Sequence, residues 1–129
     1  NELKLGISTY TYTWAIGVKG SVPAVPLDFR GLLEKARELE VGLIQVADNL
    51  PLDRFARSDL EAYYSMALEK GLRLEAGARG MTDSNLERYI EIAEIIQSPL
   101  LRFVIDGPGF RPDMEASLSS LCGLRVKTA

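Results

Sequence analysis

Apolar positions fall along this chain in two alternating rhythms. Short runs of strand-like character sit at Leu3–Ser8, Leu43–Ala47, Gly71–Gly80 and Leu100–Asp106. Between them, apolar residues recur at helical spacing. Asp28 is placed to cap a helix that runs to about Glu40, with Phe29, Leu32, Leu33, Ala36 and Leu39 on one face. Ser58 and Glu61 have the spacing of a capping box, and Ser84 and Glu87 repeat it. The first opens a helix to Lys70, with Leu60, Tyr64, Ala67 and Leu68 inward and Gly71 as its stop. The second opens a helix with Leu86, Tyr89, Ile90, Ala93 and Ile96 on its apolar side, ended by Ser98-Pro99. Pro112 suits the first turn of a last helix, in which Met114, Leu118 and Leu121 align. Gly123 is expected to stop it, and Leu124-Arg-Val126 has the character of an incipient fifth strand.

The predicted order is β-α-β-α-β-α-β-α, an α/β chain with parallel strands and right-handed crossovers. The second, third and fourth strands start roughly thirty residues apart, as βα units do. Two architectures accommodate this: a doubly wound open sheet, or the N-terminal half of a (β/α)8 barrel, which usually takes about 250 residues. Polar residues tilt the choice. Gln45, Glu75 and Arg102 lie within strands that should be apolar if helices covered both faces. A barrel lumen can gather them into one polar layer. The prediction is therefore one partial barrel domain over residues 1–129, made of about four βα units.

Composition narrows the chemistry. The chain has 129 residues, 47% hydrophobic and 26% charged, with a formal net charge of −3. Such a balance supports a globular core and shows no basic stripe for nucleic acid. No apolar run reaches the roughly 18–20 residues of a membrane span, and the first residues lack a signal-peptide pattern. A soluble cytoplasmic protein is expected, with neither nucleic acid nor membrane as partner. There is no histidine, and Cys122 is the single cysteine. Any chemistry therefore falls to carboxylates, Arg, Lys, Tyr, Ser or Thr, and a cysteine-built zinc cluster is excluded.

Both architectures place ligands at the C-terminal ends of the strands. Those ends carry Tyr10 and Trp14, Asp48 and Asn49, Arg79, and Asp106. Tyr10, Tyr12 and Trp14 can wall a sugar face or pin their loop as a small core. Asp48, Asn49 and Asp106 can bind hydroxyls or shape turns. Glu75 is the sharpest candidate: a base or hydroxyl acceptor, or half of a buried ion pair with Arg79 or Arg102. Arg79 offers a planar fork for an anion such as phosphate.

Four segments in order carry a resemblance: Lys4-Leu-Gly-Ile-Ser-Thr-Tyr10, Gln45-Val-Ala-Asp-Asn-Leu-Pro-Leu52, Leu74-Glu-Ala-Gly-Ala-Arg-Gly80 and Leu101-Arg-Phe-Val-Ile-Asp106. Together they resemble the sugar phosphate isomerase/epimerase family of the xylose isomerase-like barrel group, which also includes endonuclease IV. The resemblance implies a sugar or sugar-phosphate substrate and proton transfer next to a carbonyl. It also implies a divalent metal (Mn, Mg, Zn or Co) in the complete barrel, with ligands on later strands and none assignable to residues here. Glu75 is then the catalytic candidate, with Tyr10, Trp14, Asp48, Asn49, Arg79, Arg102 and Asp106 as substrate-binding candidates. Two rivals stand beside it: an endonuclease IV-like repair enzyme, disfavoured by the low pI of about 5.0, and a non-catalytic half-barrel binding a polyol or a partner protein. Open sheet edges would also permit self-association.

Overall fold

The computed structural model describes residues 3–128, with side chains through residue 123. Four strands, β1 (Gly6–Ser8), β2 (Leu43–Val46), β3 (Arg73–Arg79) and β4 (Leu101–Val104), pair in parallel in the order β1-β2-β3-β4. The helices are α1 (Thr13–Ile16), α2 (Phe29–Glu38), α3 (Arg57–Glu69), α4 (Asp83–Ile95) and α5 (Met114–Thr128). Spatial order follows chain order, as in a barrel wall; there is no switch in strand order of the kind a doubly wound sheet needs.

The two faces of the sheet differ sharply. Ile44, Val46, Leu74, Ala76 and Ala78 alternate along β2 and β3 and are buried in one cluster. That cluster is completed by Phe29, Leu32, Leu33 and Ala36 of α2, Leu60 and Ala67 of α3, and Tyr89 and Ile92 of α4. The helices therefore cover a single face. The opposite face carries the intervening residues. Ser8, Gln45 and Glu75 stand abreast, and Gly77 stands beside Arg102. This polar row on the helix-free face is the lumen side of a half-barrel.

Several boundaries differ from the sequence expectation, each for a local reason. Helix α3 has Ala56 as its N-cap, without a side-chain cap. Arg57 Nε instead donates to Glu61 at 2.9 Å one turn on, which draws Glu61 away from a capping box with Ser58. Thr82 rather than Ser84 caps α4, its Oγ1 accepting from the Asn85 N–H at 3.2 Å. Leu39 and Leu68 are exposed, and Ile92 takes the fully buried place on α4. Helix α5 does not stop at Gly123; the glycine stays helical and the helix continues through Thr128. The fifth strand foreseen at residues 124–126 is thus helix. A glycine ends a helix by adopting left-handed backbone, and within an exposed helix it costs only about 1 kcal/mol. The Met114, Leu118 and Leu121 face of α5 is exposed rather than buried.

Candidate functional site at the C-terminal strand ends

Three strand ends converge on one carboxylate. Tyr10 lies in a single 3-10 turn, Thr9–Tyr12, directly after β1. Thr9 is fully buried, and its Oγ1 accepts from the Ala47 N–H at 2.9 Å. The Thr9 carbonyl accepts from Asn49 Nδ2 at 3.1 Å. These two bonds clamp the turn to the end of β2 and direct Tyr10 toward Asp48. The Tyr10 hydroxyl donates to Asp48 Oδ1. Arg79, the last residue of β3, donates through Nε to Asp48 Oδ2 at 2.9 Å. Asn85 fixes that end of β3 from behind, donating to the carbonyls of Arg79 at 3.1 Å and Gly80 at 2.7 Å.

The electrostatics give the cluster a definite protonation state. Burial alone would raise the Asp48 carboxyl, but the hydrogen bonds from Tyr10 and Arg79 outweigh it and hold Asp48 below its ordinary value of 3.8. Burial, and then the Asp48 carboxylate, push the Tyr10 phenol above its ordinary 10.0. Neither group titrates near neutral pH. General acid–base groups work best with a pKa close to the operating pH. The cluster is suited to holding hydroxyls: a phenol oxygen, two carboxylate oxygens and the terminal nitrogens of Arg79. Trp14 stands in the short helix α1 that follows this turn, with 71% of its surface exposed. Tyr12, not Trp14, is the aromatic that packs against the core.

The other candidates take separate places. Glu75 lies four residues before Arg79 on the same strand, roughly 13 Å deeper in the lumen. It accepts from Gln45 Nε2 at 3.3 Å. Among the described residues it forms no ion pair with Arg79 or Arg102, a correction to the expected pairing. Register is the reason: Arg102 stands abreast of Gly77, not of Glu75, while Arg79 is taken by Asp48. Asn49 ties down the Thr9 backbone and lies outside the Tyr10–Asp48–Arg79 cluster. Asp106 sits after β4, with Oδ2 3.7 Å from Nε of the exposed Arg111. Its loop is drawn in where Gly107 packs on Gly80; a Cβ at Gly107 would come within 2.8 Å of the Gly80 Cα. Thr9 and Asn85, which hold the site in place, were not foreseen. Their bonds go to backbone atoms, which leave no trace in residue spacing.

Among the described residues no three of His, Cys, Asp and Glu converge. Asp48 is committed to Tyr10 and Arg79, and Asp106 faces Arg111. These carboxylates do not form a metal cage. A cavity of about 890 Å³ lies at the other, N-terminal end of the strands, among Leu3, Leu5, Leu43, Leu68 and Leu72. It is lined chiefly by apolar side chains. Among the described residues no helix is long and apolar enough to cross a membrane.

A parallel sheet with helices on one face, a polar lumen face and a built C-terminal mouth defines half of a (β/α)8 barrel. Comparison with known proteins gives that half a narrower place. No protein-family model matches the chain. It is 27% identical over 119 residues to the 3-oxo-isoapionate decarboxylase of Pectobacterium atrosepticum, covering 92% of this chain and 42% of that protein. In structure it is similar to D-psicose 3-epimerase, solved in the presence of D-fructose, with a TM-score of 0.65 and 13% identity over 95% of this chain and 47% of that one. The chain thus spans less than half the length of either relative. Its fold is that of about half of the barrel seen in D-psicose 3-epimerase.

Proposed function

We propose that this chain is part of a sugar-transforming enzyme of the isomerase/epimerase type, and that the Tyr10–Asp48–Arg79 cluster binds the hydroxyls of its substrate. The convergence of three strand ends on Asp48 carries this reading. A neutral phenol, an ionised carboxylate and a guanidinium offer both donors and acceptors to a polyol, while the exposed Trp14 ring offers an apolar wall. Glu75, in the lumen beside Gln45, is the carboxylate we assign to proton transfer next to a carbonyl. The two relatives, an epimerase and a decarboxylase, both act at carbons of sugar-like molecules, which supports the substrate class. Where the complete barrel uses a divalent metal, its cage comes from residues other than those described here. A cytoplasmic location fits the same reading.

Trp14 is the single tryptophan, so its fluorescence reports on the mouth without labelling. Titration with D-fructose and D-fructose 6-phosphate should change its emission, and Asp48→Asn should weaken that response about tenfold, the equivalent of one lost charge-assisted hydrogen bond. An emission unchanged by both sugars would remove the polyol reading.

The open edges at β1 and β4 favour a second reading, a half-barrel that pairs through these edges without catalysis. Light scattering during size-exclusion chromatography decides it: a monomer at every concentration tested would exclude edge pairing.

A further inference from the structure

We propose that Arg102 is the anion-binding residue of the lumen, and that the substrate is therefore an anionic sugar bearing a carboxylate or phosphate rather than a neutral one. The inference rests on the sugar-binding reading above and specifies the substrate class.

Three observations carry it. The first is the setting of Arg102. On the lumen side of β3, Arg73, Glu75, Gly77 and Arg79 follow one another, and Gly77 has no side chain to fill its place. The Arg102 guanidinium lies there: a Cβ on Gly77 would stand 3.6 Å from Arg102 Nε and 3.3 Å from the Val46 carbonyl oxygen. The guanidinium thus lies over a residue that offers it no side-chain partner.

The second is the absence of an internal counter-ion. Arg102 Nε is buried with no hydrogen-bond partner. Among the described residues, no carboxylate lies within ion-pair distance of Arg102. The neighbouring charges are engaged elsewhere, Arg79 with Asp48 and Glu75 with Gln45. A donor withdrawn from water without a partner is unfavourable, and a guanidinium presents a planar fork matched to an oxyanion. Arg79 looked in sequence like the anion holder. Its Nε is spent on Asp48, and the role passes to Arg102.

The third is spacing together with the chemistry of a relative. Gly77 lies two residues below Arg79, roughly 7 Å along the strand. An anion on Arg102 would leave the rest of a small sugar chain within reach of the Tyr10–Asp48–Arg79 mouth. Moreover, the relative that is 27% identical is a decarboxylase, and such a reaction requires a carboxylate on its substrate.

The test uses the whole chain, with arginine Nε–H groups followed by ¹⁵N NMR and Trp14 by fluorescence. The probes are D-gluconate, D-fructose 6-phosphate, D-fructose and inorganic phosphate at constant ionic strength. The Arg102 resonance is assigned by its loss in Arg102→Lys. We expect an anionic sugar to move it and to bind about tenfold or more tighter than D-fructose, the scale of one desolvated charge contact. Arg102→Gln should bring that ratio close to one, and Arg102→Lys should keep part of it. The amide spectrum of each variant verifies that it is folded. Preference for gluconate identifies a carboxylate, and preference for the phosphorylated sugar a phosphate; either supports the proposal. Equal binding of gluconate, fructose 6-phosphate and fructose, with Arg102 unmoved, overturns it while leaving the polyol site intact. A response to inorganic phosphate as large as that to the anionic sugars, with those sugars binding no tighter than D-fructose, also overturns it. Silence of Trp14 and Arg102 toward all the sugars defeats both this inference and the sugar-binding reading beneath it.

Discussion

Arg79 and Asp48 stand 31 positions apart in sequence, yet the Arg79 Nε meets Asp48 Oδ2 at 2.9 Å across the ends of adjacent strands. The other oxygen of the same carboxylate receives Tyr10 from the next strand over. One side chain therefore ties three strand ends, and its ionisation should be visible in the stability of the whole chain.

The Asp48 carboxyl titrates lower in the folded chain than its ordinary 3.8. In the window between these values the unfolded chain binds more protons, so stability rises with pH there. The contribution is complete above about pH 4 to 5 and is lost as pH falls through the depressed folded value. Urea midpoints measured from pH 2.5 to 7, a range chosen to span the usual carboxylate pKa of about 4, should fall steeply at the acid end for the native sequence. They should fall less for Asp48→Asn. Parallel curves would mean that Asp48 adds nothing to the fold.

Thr9→Val removes the hydroxyl that accepts from the Ala47 N–H while nearly keeping the shape of the side chain. The buried N–H is left without a partner, at a cost of about 1–3 kcal/mol. Because this bond also orients the Tyr10 turn, the substitution should lower both the denaturation midpoint and the Trp14 response to sugar. A loss of stability with the sugar response intact would separate the clamp from the site.

Gly77→Ala places a methyl group 3.3 Å from the Val46 carbonyl oxygen and 3.6 Å from Arg102 Nε. The strand backbone cannot easily yield, so a destabilisation of about 1–3 kcal/mol is expected from overpacking. Denaturant unfolding measures the cost, and the Arg102 resonance should move little, since 3.6 Å is an ordinary contact.

The Tyr89 phenol, on the helix-covered side of β3, is pushed up to about 12 by burial and then by the charge of Asp53. Its folded pKa lies above the unfolded value of about 10. Its contribution to stability is therefore full below pH 10 and lost as pH rises toward the folded value of about 12. Ultraviolet titration should show one tyrosine ionising late, and Tyr89→Phe should remove that late step. A wild-type titration without it would show the phenol to be more accessible than its packing implies.

The strands and their lumen-facing polar residues were legible because period-two alternation survives in short segments such as Leu43–Val46. The C-terminal mouth was legible too, since strand ends follow from strand positions, and Tyr10, Asp48 and Arg79 were all singled out there. Which charges meet was not legible. Pairing depends on register, and a two-residue offset sets Arg102 beside Gly77 instead of Glu75. The cap positions failed for a related reason: Ser58 and Ser84 have the right spacing, but Ala56 and Thr82 are where the backbone turns. Helix α5 misled most. Met114, Leu118 and Leu121 have the pattern of a buried face, yet they remain exposed. Periodicity reveals an apolar face but not whether anything packs on it.

The arrangement of strands in chain order has a consequence for loop closure. Each strand pairs with its predecessor across one βα unit, so every sheet contact closes a short loop. Tyr10 and Asp48 are joined across the first such unit, and Arg79 reaches Asp48 across the second. The mouth therefore draws on the first three strands alone, and the strand that carries Arg102 adds nothing to its hydrogen bonds.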